Sequence, residues 1–148
     1  MDILEIKDLE TLAQKRVPKM FFDYVNSGSW TETTYNENVS DFQKIKLRQR
    51  VAIDMSNRIL ATKMVNQSVS MPVAIAPTGL TGMQRADGEI LAAQAAEEFG
   101  IPFTLSTMSV CSIEAVAEKT KKPFWFQLYV MKDKKFMARL IDRAKEAK

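Results

Sequence analysis

The sequence predicts an α/β protein whose second half opens a (β/α)8 barrel: an incomplete TIM barrel preceded by helices. Three observations carry this. From Pro72 onward, short apolar runs alternate with amphipathic helical stretches three times, and each run has a proline at or beside its start (Pro72, Pro102, Pro123). Consecutive βα units of this kind imply parallel strands joined by right-handed crossovers. No Gly-rich dinucleotide loop follows the first run, because Gly79 and Gly82 lack the required spacing, which disfavours a doubly wound nucleotide fold. A closed barrel needs roughly 250 residues, so the 148 residues are expected to be a truncated, amino-terminal portion. The predicted organisation is a helical segment with a small hairpin over 1–71, then the first three βα units over 72–148.

Taken in order, residues 8–15 have helical spacing, with Leu9, Leu12 and Ala13 on one side. Pro18 suits the first turn of a second helix carrying Phe21, Phe22, Tyr24 and Val25, with Gly28 as its C-terminal cap. A third helix is expected over 34–42, followed by a basic segment, Lys46-Leu47-Arg48-Gln49-Arg50-Val51. Runs 59–65 and 69–71, separated by Asn66-Gln67-Ser68, read as an antiparallel hairpin. Val73 to Ala76 is small and apolar enough for a strand buried on both faces.

That strand breaks into Pro77-Thr78-Gly79, and the Ala-rich helix 87–99 follows, closed by Gly100. A second strand covers 101–106, and its helix starts at Ser112 in a near-capping pattern with Glu114 and Ala115. The third strand, 124–130, is long, aromatic and uncharged, and would stand at an open edge before a helix from Lys132.

Composition narrows the function classes. Hydrophobic content of 46% and charged content of 26% are those of an ordinary globular chain. The net charge of +3 is spread among acids, which reads as solvated helix faces and not as a nucleic-acid groove. Cys111 is the single cysteine, so no internal disulfide forms and a reducing, cytoplasmic setting is expected. Met1 to Glu10 lacks the apolar core of a secretory signal. No run reaches the about eighteen apolar residues of a membrane span, which leaves surface attachment open. Histidine is absent, so this chain supplies no Ser-His-Asp triad, no His-ligated metal and no histidine base.

The chemistry gathers at the strand ends. Thr104 and Ser106 share one strand face, as do Trp125, Gln127 and Tyr129. If those faces point inward, Ser106, Gln127 and Tyr129 meet at the carboxyl rim beside Pro77-Thr78-Gly79, where such folds place ligands. The set offers a hydroxyl, a primary amide, a phenol and free backbone groups, with no carboxylate pair and no metal-ligand spacing. Uncharged donors and acceptors of this kind suit the edge of a planar heterocycle such as a flavin. A phenol suits a substrate carboxylate or an oxygen that changes charge during reaction.

Six stretches in order carry a family resemblance: Phe22-Asp23-Tyr24 with Ser27-Gly28, Arg48-Gln49-Arg50 with Asp54-Met55-Ser56, Ala76-Pro77-Thr78-Gly79, Gly88-Glu89, Leu105-Ser106-Thr107, and Phe126-Gln127-Leu128-Tyr129-Val130. From about Lys15 to Lys148 the chain resembles the amino-terminal part of the FMN-dependent L-2-hydroxy-acid oxidising enzymes. Stretches 47–51, 79–83, 102–107 and 109–111 look most like the bacterial quinone-linked L-lactate dehydrogenase branch.

The resemblance implies FMN as cofactor and oxidation of L-lactate, or a related small 2-hydroxy acid, to the 2-oxo acid. It assigns the backbone of Pro77, Thr78 and Gly79 and the side chains of Ser106 and Gln127 to the flavin ring. It assigns Tyr24 and Tyr129 to the substrate, with Tyr129 also catalytic. A quinone acceptor, peripheral contact with the inner face of the cell membrane and a homo-oligomer for the complete protein belong to the same implication. The family's catalytic histidine, carboxylate-gripping arginine, flavin-side lysine and phosphate loops belong to later strands. The chain alone is therefore expected to hold FMN poorly and to be inactive. The alternatives are an oxygen-dependent 2-hydroxy-acid oxidase of the same family and a non-catalytic partial-barrel module.

Overall fold

A computed structural model describes residues 2–147 and divides the chain into two compact units, one ending at Arg58 and the other starting at Ile59. The first unit holds α1 (Ile6–Arg16), α2 (Lys19–Val25) and α3 (Thr33–Lys44). At the start of α1, Asp8 Oδ2 accepts the N–H groups of Leu4 and Glu5 at 2.8 and 3.1 Å, satisfying donors the helix leaves open. Pro18 precedes α2 as expected, but Gly28 does not cap it. The cap is Asn26, whose N–H reaches Phe22 O. Gly28 is needed for close approach instead, since a Cβ there would lie 2.7 Å from Tyr35 Cβ.

The second unit opens with a hairpin of β1 (Thr62–Met64) and β2 (Gln67–Val69), paired antiparallel as Thr62–Val69, Lys63–Ser68 and Met64–Gln67. Its turn is Val65-Asn66, both residues at positive φ (46° and 64°), the geometry of a tight two-residue hairpin loop. Gln67 and Ser68, expected in the loop, are therefore strand residues. The hairpin is bonded to the βα segment: Ser70 N–H donates to Gly100 O at 3.0 Å and Trp125 Nε1–H to Gln67 Oε1 at 3.0 Å.

The βα segment continues through α4 (Thr81–Gln84), α5 (Gly88–Phe99), β3 (Thr104–Ser106), α6 (Ile113–Lys119), β4 (Trp125–Gln127) and α7 (Lys134–Glu146). Strands β3 and β4 pair in parallel in the register Thr104–Trp125, Leu105–Phe126, Ser106–Gln127. The predicted order and parallel sense hold, while all three strands are shorter than expected. Run 72–76 reduces to one parallel bridge, Ile75–Phe103, in which Ile75 N–H donates to Pro102 O and Thr104 N–H to Ile75 O. Pro72 and Pro77 have no N–H to extend that ladder. Val73 is half exposed and Ala76 exposed, so the run is not a strand covered on both faces.

Alternation along β3 divides its two roles. Leu105, fully buried, faces a core of Ala93, Ala96, Phe103, Ile113 and Val116, with Ile75 and Phe126 packed against it. Burying a leucine completely contributes about 1.5–3 kcal/mol. Thr104 and Ser106 therefore point to the opposite face. The helices end as their sequences dictate. Gly100 closes α5 at φ 67°, its N–H reaching Ala96 O and Glu97 O, and Ser112 Oγ caps α6 by accepting Ala115 N–H. Asp133 caps α7 by accepting the N–H groups of Lys135 and Phe136, placing its start two residues past the expected Lys132.

Candidate functional site

The polar face of β3 and β4 continues past the strands into a bonded cluster. Gln127 Oε1 accepts the Ser106 hydroxyl at 3.3 Å and the Thr107 N–H at 3.2 Å. Ser106 Oγ, buried, also accepts Met108 N–H at 3.0 Å. Thr107 N–H reaches Gln127 O at 3.1 Å, and its hydroxyl donates to the same carbonyl at 2.5 Å while accepting Tyr129 N–H at 3.1 Å. Two donors converge on Gln127 Oε1, so the amide is oriented with its NH2 group turned away from them. Among the described residues that NH2 group has no partner.

The loop after Ile75 lies beside this cluster. Leu80 N–H donates to Met108 O at 3.0 Å, and Thr81 Oγ1 donates to Thr78 O at 3.1 Å. Leu80 itself sits at φ 56° and opens α4. Pro77 and Thr78 are exposed and Gly79 is half-buried. No partner among the described residues takes the N–H groups of Thr78 and Gly79. Among the described residues, the donors left open along this rim include the Thr78 and Gly79 N–H groups and the Gln127 NH2.

Beneath the two loops lies Glu89, 2% exposed in the first turn of α5. Its Oε1 accepts Gly82 N–H at 3.0 Å and Val110 N–H at 2.9 Å. Burial pushes the Glu89 carboxyl up, but the N–H groups of Val110, Gly82 and its own residue outweigh that and hold it below the usual carboxylate range. Burial, and then the neighbouring Glu89 carboxylate, push the Cys111 thiol up. Among the described residues, no group of three or more His, Cys, Asp or Glu is placed to hold a metal ion.

The structure therefore brings Ser106, Gln127 and the Tyr129 backbone together, with Pro77-Thr78-Gly79 in the adjoining loop. Tyr129 lies outside β4, and its side chain, like that of Tyr24 on α2, is about half exposed. Tyr24 belongs to the first unit. Two organising residues, Thr107 and Glu89, stand in the sequence only within the Leu105-Ser106-Thr107 and Gly88-Glu89 stretches, with no role assigned to either. A hydroxyl following a strand end, such as that of Thr107, can extend the ladder. Glu89 carried a readable signal, because with Ala93 and Ala96 it falls on one helix stripe at i, i+4 and i+7.

The rim donors fit the acceptor-rich edge of a flavin ring: Thr78 and Gly79 N–H and the Gln127 NH2 are neutral, open and fixed from behind. Donors of this kind can bond the carbonyl and ring-nitrogen acceptors of such a ring.

Comparison with known proteins points to FMN as the cofactor. The family model of the FMN-dependent dehydrogenases matches residues 13–148. L-lactate dehydrogenase of Acinetobacter baumannii (strain ATCC 17978) is 52% identical over 140 residues, 95% of this chain and 37% of the relative. L-lactate dehydrogenase of Acinetobacter baylyi is 49% identical over 147 residues, 99% of this chain and 38% of the relative. Among solved structures, a soluble mutant of the membrane-associated (S)-mandelate dehydrogenase from Pseudomonas putida superposes with a TM-score of 0.91. It is 35% identical and covers 99% of this chain and 42% of that one. The chain thus spans under half the length of these relatives, and no helix among its described residues is long and apolar enough to cross a membrane. With the match running over residues 13–148, the chain belongs to the family of FMN-dependent dehydrogenases.

Proposed function

We propose that this chain contributes the flavin-facing strand ends of an L-2-hydroxy-acid dehydrogenase, with L-lactate the favoured substrate, built on the opening portion of a (β/α)8 barrel. The observation that carries the reading is the Gln127 amide, its oxygen held by Ser106 and Thr107 and its NH2 group left open on the rim. FMN, when bound, supplies the hydride acceptor for oxidation of the hydroxy-acid carbon.

The residues of this chain hold and orient. The N–H groups of Thr78 and Gly79 and the Gln127 NH2 donate to ring acceptors. Pro77 fixes the backbone that presents them. Ser106 acts chiefly from behind, through Gln127 Oε1, with one lone pair left to accept a ring N–H. The phenols of Tyr24 and Tyr129 are assigned to the substrate carboxylate and hydroxyl, and Tyr129 is the catalytic one, stabilising an oxygen whose charge changes. No proton abstraction is assigned here, because the chain has no histidine. Peripheral contact with the inner face of the cell membrane, a quinone acceptor and a homo-oligomer complete the reading. The membrane-associated character of the mandelate dehydrogenase neighbour supports the first of these.

Segment exchange tests this reading. The aligned portion of Acinetobacter baumannii L-lactate dehydrogenase is replaced by this chain, and the hybrid is assayed for bound flavin and for L-lactate, glycolate and (S)-mandelate oxidation. A yellow hybrid that prefers L-lactate is expected. A soluble, colourless hybrid, or one that prefers mandelate, overturns the reading.

A further inference from the structure

A carboxylate buried to 2% exposure inside an Ala-rich helix is costly unless its oxygens are satisfied. Glu89 Oε1 is satisfied twice, by Gly82 N–H of α4, the short helix that ends the loop after Ile75, and by Val110 N–H from the loop after β3. Glu89 Oε2 is fully buried and has no partner among the described residues. The loops close tightly over it. A Cβ on Gly82 would lie 2.7 Å from Val110 Cβ and 3.0 Å from Glu89 Oε2, so only glycine fits there. A third link joins the same loops, Leu80 N–H to Met108 O at 3.0 Å. The two ties to one oxygen lie just beyond Thr78-Gly79 on one loop and Ser106-Thr107 on the other.

We infer that Glu89 is a positioning residue: its carboxylate bolts the two loops together and so sets the spacing between the Thr78–Gly79 N–H groups and the Ser106–Thr107–Gln127 cluster. The role in flavin binding rests on the reading above, whereas the tie itself does not. Ionised Glu89 makes two charge-assisted bonds, which are about twice as strong as neutral ones. The start of α5 adds a favourable dipole. The titratable group facing it is the Cys111 thiol, raised first by burial and then by Glu89, so it stays neutral as the carboxylate titrates. Asp87, exposed at the start of α5, is the remaining charge nearby that acts on this thiol.

Amide NMR and hydrogen exchange on the 148-residue chain test the tie. In wild type, Gly82 and Val110 N–H are expected to be protected and to titrate together, below the ordinary glutamate value of 4.5. In Glu89→Gln, which keeps the shape and removes the charge, both should lose protection by about ten-fold. The amide resonances of Thr78, Gly79, Thr107 and Gln127 should move with them, while those of Leu105 and Phe126 stay in place. A purely local packing role would leave Thr78 and Gly79 unmoved, and that result overturns the proposal. So do wild-type Gly82 and Val110 amides that exchange at loop rates or titrate independently, a readout that needs no variant to fold. Flavin titration separates the two readings: a chain that shows the tie and binds no flavin refutes the flavin site alone.

Discussion

The Ser106 hydroxyl donates to Gln127 Oε1 at 3.3 Å across the β3–β4 register, fixing which end of the amide faces outward. The same oxygen of Ser106 accepts Met108 N–H, so one buried hydroxyl serves both the amide and the loop after β3. Ser106→Ala should therefore destabilise the chain by about 1–3 kcal/mol, the cost of stranding a buried partner. Urea denaturation followed by circular dichroism checks it. Ser106→Thr, which keeps the hydroxyl, should lose less.

The core makes a simpler demand. Leu105 is completely buried against Ala93, Ala96, Ile113 and Val116. Leu105→Ala should cost about 2–5 kcal/mol, read as a fall in denaturation midpoint with an unchanged slope. A loss below about 0.5 kcal/mol, the size of an ordinary surface substitution, would mean that this strand is not packed as described.

Between α6 and α7, the Arg143 guanidinium forks onto Glu114 with bonds of 2.6 and 2.7 Å. Arg143 holds the Glu114 carboxyl down, from its ordinary 4.5 to about 2. A depressed carboxylate stabilises above its unfolded value and loses that contribution as pH falls through the folded one, so the window runs from 4.5 down to about 2. Both side chains are about half exposed, which limits the pair to about 0.5–1 kcal/mol. Glu114→Gln should lower stability by that amount at pH 7 and by progressively less as pH falls toward 2. Thermal melts across that range measure the convergence.

At Gly100 the backbone is left-handed, φ 67°, with ordinary van der Waals room for a Cβ. Gly100→Ala should cost about 1 kcal/mol from conformation alone. Gly100→Asn, which tolerates that region, should cost less, and equal losses in differential scanning calorimetry would contradict the conformational argument.

Element order and type were readable because helical periodicity, glycine and serine caps and proline placement are local signals. Gly100 and Ser112 act as their positions imply. Strand length was not readable, because pairing depends on a neighbour: run 72–76 has the composition of a strand but only Ile75 finds a partner. The hairpin turn was misplaced because Val65, a β-branched residue at positive φ, is a poor choice there on local grounds alone. The site was partly readable. Gln127 stood out as a polar residue in an aromatic run, and its partner Ser106 followed from strand alternation. The roles of Thr107 and Glu89 were not readable, because their bonds join segments far apart in sequence, with Glu89 and Val110 separated by 21 positions.

Flavin titration of the 148-residue chain tests the central claim most directly. Fluorescence quenching of FMN and of riboflavin is compared for wild type and Gln127→Leu. Ring-directed neutral donors predict weak quenching, nearly equal for the two flavins and lost in Gln127→Leu. Wild type and Gln127→Leu binding flavin alike, or neither quenching it at all, would contradict the account.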